Sequence, residues 1–333
     1  MRLSALFLIG LLAAPQVATP PHLGAELSRV RAQIKSAVPA DQQASLVQRL
    51  DRAEAALKAG RTYQAVYLGE VAYEGAAAFA FAASSGVKSP EAFLKKWREL
   101  GPPKSHSGAP GRVPAAIDAI AEAAEDRGPA TYQASRPYAE DAAVGAGLYY
   151  LGESHAVMDF AAFARSGSWP AQGRRPAFRS IASELNTLDR EMTTKYETME
   201  RANHPTYVRA SAALKQARSL NDRAAFEGAL FEYLLSRYLF AALRGLPADA
   251  TPERLDAARA SLPARDDHSI AELFIQFAEE GLSSDSADLR SGASAVIADV
   301  VPAYLAAVAP AQTSTTADAT AAVTITLVRW PFT

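Results

Sequence analysis

Before residue 320, the apolar residues of this 333-residue chain recur at spacings of three and four and almost nowhere alternate. Segments of that period bury one face as helices, so the body is predicted to be all-α. The helix punctuation agrees. In SPEAFLKKWRELGPP and TPERLDAARASLP, Ser89 and Thr251 stand as N-caps before a proline at the first helical position, and Glu91 or Glu253 follows where the positive end of the dipole favours an acid. Gly101 with Pro102, and Pro263 after Leu262, close these helices. Between 41 and 59, Leu46, Leu50, Ala53 and Leu57 share one face, Asp41 offers a cap and Gly60 ends the run. From 178 to 200 the apolar stripe is Phe178, Ile181, Leu185, Leu188, Met192 and Met199, with Tyr196 beside Lys195. Further helices are predicted over 23–38, 62–84, 113–127, 137–165, 204–219, 222–244, 267–282 and 286–309.

A chain of this length with 49% hydrophobic residues can bury the core of one large or two modest domains. It has no cysteine, which removes disulfides and thiolate chemistry. The net charge of -2 leaves no cationic excess to neutralise phosphates, so no nucleic-acid partner is expected. Residues 1–18 read as a signal peptide, with Arg2, an apolar run from Leu3 to Ala14, and small residues up to Ala18 interrupted by Gln16. That run is shorter than the ~20 residues of a membrane-spanning helix. A periplasmic or secreted protein with no transmembrane segment in its mature chain is therefore expected. The remaining divisions are an N-terminal helical subdomain (19–100), a Gly/Pro/Ser-rich linker (101–112), a main helical domain (113–309), a flexible linker (310–322) and a terminal strand (323–333).

Two stretches, AALKAGRTYQAVYLGEVAYEGAAAFAFA and AALKQARSLNDRAAFEGALFEYLLSRYLFAAL, open on the same four residues, break at a polar turn and continue into an aromatic, alanine-rich helix. A third, LYYLGESHAVMDFAAF, holds Leu148, Leu151 and Gly152 followed by His155. These three partial units resemble tetratricopeptide repeats, with Gly60, Ala65 and Ala72 at small-residue positions. They depart from that pattern at His155, where tyrosine is usual, and at Gly69, where the second-helix aromatic would fall. The resemblance implies stacked helical hairpins whose concave surface binds an extended peptide or a partner protein. An irregular α-bundle fits the same spacings.

Several helices carry acids among apolar neighbours: Glu70 and Glu74, then Glu153 with His155 and Asp159, then Glu227 and Glu232. Buried carboxylates need partners, and Arg237 is expected to answer one of them. His155 and Asp159 lie one helical turn apart and are expected to form a hydrogen-bonded pair in a helix interface; two ligands do not close a metal site, and no Glu-x-x-His motif occurs, so no cofactor or metal is expected. Glu153-Ser154 resembles the catalytic pair of lytic transglycosylases, although His155-Ala156-Val157-Met158 stands downstream where that family has Gly-Leu-Met-Gln. There is no Gly-x-Ser-x-Gly elbow and no phosphate loop. GSWPAQGRRP places Trp169 beside Arg174 and Arg175 as a candidate binding lip, the alternative being a tucked Trp169 with solvated arginines. Tyr149 is among the tyrosines that can line a groove or pack in the core.

The last stretch, VTITLVRWPFT, alternates β-branched residues, with Val323, Ile325 and Leu327 on one face and Trp330 near the end. Three destinations compete for its backbone groups: the chain's own body, the same segment of a second copy to form a homodimer, or a sheet edge in another protein. These features favour an exported binding or scaffold protein for a peptide or protein partner in the cell envelope. Trp169, Arg174, Arg175, Tyr149, His155, Asp159, Ile325, Leu327 and Trp330 are its candidate contacts. The alternative is a hydrolase or lyase of envelope polymers or peptides using Glu153, His155 and Asp159.

Overall fold

A computed structural model describes residues 21–104, 113–170, 173–246 and 249–309. The predicted signal segment, the 310–322 linker and the terminal strand with Ile325, Leu327 and Trp330 lie outside the described residues, as do 105–112 of the predicted boundary.

The body is all-α. In chain order the helices are α1 (Pro21–Ala37), α2 (Ala40–Lys58), α3 (Thr62–Ser84), α4 (Pro90–Leu100), α5 (Ala115–Ser135), α6 (Pro137–Glu140), α7 (Val144–Ser166), α8 (Ala182–Tyr196), α9 (His204–Asp222), α10 (Phe226–Arg244), α11 (Pro252–Ala260), α12 (Ser269–Leu282), α13 (Ala287–Ala295) and α14 (Val301–Ala307). A π-helical segment, Val296–Val300, joins the last two. Consecutive helices pack as pairs in α2 with α3, α9 with α10 and α12 with α13. Across these pairs, α5 packs on α7, α10 and α12, and α3 packs on α1, α7 and α12. The largest hydrophobic cluster draws on Leu23, Leu50, Val66, Ile120, Leu188, Phe231, Phe274 and Tyr304, so it joins helices on both sides of 101–112. Leu50 and Leu188 are fully buried, and each contributes about 2 kcal/mol by leaving water. Among the described residues no helix is long and apolar enough to cross a membrane.

The predicted caps form at Ser89, whose side chain accepts from the Ala92 amide at 3.2 Å, and at Thr251, which accepts from the Arg254 amide at 3.3 Å. Asp41 instead lies inside the first turn of α2, where the residue at the cap is Pro39. The helix expected from 178 begins only at Ala182. Phe178 pairs with Val308, and Ala177 with Ala309, in a short antiparallel pair of strands β1 (Ala177–Phe178) and β2 (Val308–Ala309), while Asn221 accepts from the Ile181 amide at 2.9 Å. Ile181, Leu185, Leu188 and Met192 of the stripe are buried as expected.

Helix α5 passes the expected end at 127 and carries Pro129 in its interior. At Gly128 the helix passes close to α7, where a Cβ would lie 2.8 Å from the sulfur of Met158. The helix expected over 137–165 is broken at Ala142, whose φ of 55° is left-handed.

Candidate functional site

Of the acids picked out in the sequence, Glu70, Glu74 and Glu227 pair with arginines, in two separate networks. Arg127 on α5 reaches Glu70 at 2.6 Å and Glu74 at 2.7 Å on α3, and Glu232 of α10 is buried in the same electrostatic neighbourhood. Burial pushes the Glu74 and Glu232 carboxyls up to about 8, against the opposing pull of Arg127. Glu227 pairs with Arg175, which also binds Asp118 and the Val113 carbonyl, while Arg165 joins Asp118 at 3.1 Å to Glu125 at 2.6 Å. Arg237 answers none of the expected acids. It pairs with Asp299 on the π-helical segment, which Arg244 also binds, and donates to the Tyr233 hydroxyl at 2.6 Å.

The structure places the sequence candidates at separate positions. The Trp169 Nε1 donates to the Ala164 carbonyl at 2.9 Å, and its ring stands edge-on to His22. Arg174 pairs with Asp266 at 2.9 Å, and Arg175 is engaged as described. His155 is half-buried, with burial holding its imidazole below the usual range, and Asp159 is exposed one turn on. No hydrogen bond joins these two residues among the described residues. Tyr149 packs against Phe79 and Tyr150 beside a shallow hollow also lined by Gln42 and Ser45. No group of three His, Asp or Glu side chains among the described residues is placed to hold a metal ion.

A different constellation forms where α2, α3, α9, α10, α12 and α13 meet around a cavity of about 220 Å³. Its walls are Tyr67, Tyr238 and Phe277, the tyrosine rings lying 5.6 Å from the phenylalanine ring, centre to centre. Arg49, Arg52 and Arg209 also line it. The Arg52 charge is engaged, since Nε and Nη2 meet the two Glu280 oxygens at 2.9 and 2.8 Å. Arg49 and Arg209 make no hydrogen bond or ion pair among the described residues.

Burial raises the Tyr238 hydroxyl to about 12 and the Tyr67 hydroxyl further still, while Arg209 pulls both down. The Tyr67 hydroxyl also feels Glu232 and Glu70, whose negative charge raises it further. Gly292 lets α13 pass over the site. A Cβ there would lie 2.7 Å from the Tyr238 oxygen.

The site draws on four helices beyond the α2–α3 hairpin, so no local motif encodes it. A weak signal was nevertheless present: Arg49, Arg52 and Arg209 all sit on helices without an acid three or four residues away, the spacing at which an intrahelical partner would stand. Arginine beside aromatic surface in a concave site can hold an anion and an adjoining apolar group. Fold and site together define an all-α protein with an arginine-lined aromatic pocket. Comparison with family models, curated proteins and solved structures gives no match.

Proposed function

We propose that this chain is an exported helical binding protein that holds a peptide or protein partner, with the cavity between α2, α9 and α13 as its principal anchor point. The single observation carrying this reading is the composition of that cavity, where tyrosine, phenylalanine and arginine converge. Tyrosine and arginine concentrate in interface hot spots because they combine large contact area with directed polar groups. At about 220 Å³ the cavity is below the ~300–1,000 Å³ typical of small-molecule sites, which favours one anchoring side chain of a larger partner. The predicted signal segment and the alternating stretch 323–333 support export and a second docking element, respectively.

Selection from a random peptide-display library on the full mature chain tests this reading, with counter-screening on Ala242→Trp. Ala242 is an exposed residue of the cavity lining, so the indole would fill the opening without displacing core. Enriched peptides that lose binding to Ala242→Trp support the assignment. Failure to enrich any peptide, or enrichment indifferent to Ala242→Trp, refutes it. Repeating the selection on a chain lacking 311–333 separates the contribution of the tail, whose removal is expected to leave the melting temperature unchanged.

A further inference from the structure

The cavity also carries information about the chemistry of its occupant. Resting on the binding role argued above, we propose that Arg49 and Arg209 recognise a carboxylate on an acidic segment of the partner polypeptide, while a neighbouring apolar side chain enters between Tyr67, Tyr238 and Phe277.

The charge balance at the opening supports a carboxylate. Although the chain has a net charge of -2, two guanidinium groups line this cavity with no acid paired to them among the described residues, and the third arginine is held by Glu280. Arg209 is exposed and Arg49 half-buried, so both can change rotamer to meet an incoming group. Each presents a planar fork of N–H donors that matches a carboxylate.

The backbone adds to this field. Thr206, in the first turn of α9, also lines the cavity, and no acid occupies that turn. The start of α9 therefore adds the positive end of a helix dipole beside the arginines. Glu70, an acid near Tyr67, is paired with Arg127 at 2.6 Å, so its charge is answered away from the two cavity arginines.

The cavity walls select the neighbouring residue. Tyr67, Tyr238 and Phe277 are backed by Leu68, Leu235 and Leu239, and a phenylalanine or leucine side chain can exchange water for these surfaces. A partner bearing charge alone would leave the apolar walls wet. A partner bearing only an apolar side chain would leave both arginines without a counter-charge.

Fluorescence anisotropy with labelled peptides tests the proposal on the full mature chain. The probe is a Gly-Ser-flanked Glu-Phe-Glu-Leu peptide, compared with its Gln-Phe-Gln-Leu and phosphoserine-Phe-phosphoserine-Leu counterparts. The glutamate peptide should bind most tightly, and Arg49→Gln/Arg209→Gln should weaken it by about tenfold, a loss that disappears with the glutamine peptide. Arg209→Gln alone should give a smaller loss, and because Arg209 is exposed that variant retains the native fold.

Equal affinity for the glutamate and glutamine peptides overturns the carboxylate assignment, as does preference for the phosphoserine peptide. Undiminished glutamate-peptide binding in the double variant overturns it as well. If the carboxylate assignment fails while display-selected peptides still depend on an open cavity at Ala242, only this inference fails; if no selected peptide depends on it, the binding role itself fails.

Discussion

Two residues illustrate how local chemistry and burial compete. Ala224 ends α9 with a φ of 60°, and the Ala225 amide reaches back to the Leu220 carbonyl at 3.0 Å in the manner of a glycine-terminated helix. The left-handed region costs an alanine about 1–2 kcal/mol, partly offset by the greater freedom glycine has in the unfolded chain. Since Ala224 is exposed, Ala224→Gly loses no packing and should stabilise the protein by about 0.5–1 kcal/mol, measured as a higher urea midpoint with an unchanged slope. Arg127 presents the opposite case. Arg127→Ala removes the cation between Glu70 and Glu74, both buried, and should destabilise by about 3–5 kcal/mol in the same measurement. The sequence showed that Glu70 and Glu74 share a helical face and need a partner. It did not show which arginine supplies it, because the partner lies 57 positions from Glu70.

At the scale of the element, helix ends show where sequence patterns lose their reach. The caps at Ser89 and Thr251 were legible because the capping side chain and the amide it binds lie three residues apart. Helix α5 begins after Pro114, which offers no side-chain cap, and its first amides are satisfied by residues at the distant start of α12. Asp267 accepts from Ala115 at 2.8 Å, and the Ser269 hydroxyl accepts from Ala116 at 2.8 Å. Asp267→Ala should therefore cost about 1–2 kcal/mol and speed hydrogen exchange at the start of α5 ahead of the other helices. The π-helical segment is equally invisible in the sequence pattern. It carries Asp299, which forms ion pairs with both Arg237 and Arg244, and those pairs tie the junction of α13 and α14 to α10. Asp299→Asn should lower the melting temperature by weakening both contacts, whereas Asp256→Asn, at an exposed pair on α11, should leave it nearly unchanged.

For the molecule as a whole, the buried acids set the pH response. Glu74 and Glu232 are raised to about 8, and Glu122, at the cleft between α5 and the α9–α10 turn, to about 7, in each case chiefly by burial. Below those values each keeps its proton in the folded state, whereas in the unfolded chain it titrates near 4.5. Their contribution is fully present below the unfolded value and declines as pH rises through the folded values. The melting temperature should therefore fall between pH 5.5 and about 8.5, and Glu74→Gln with Glu232→Gln should flatten that slope. Calorimetry across this range checks both expectations. The sequence by itself determined the all-α class, the principal helices and the buried stripe of α8, because three- and four-residue spacing is a property of neighbours along one chain. Only the tertiary structure decided which arginine meets which acid, that α5 continues through Pro129, and that Arg49, Arg209, Tyr67, Tyr238 and Phe277 surround one cavity. Those outcomes depend on desolvation and on contacts between remote helices, quantities that arise only once the helices have packed.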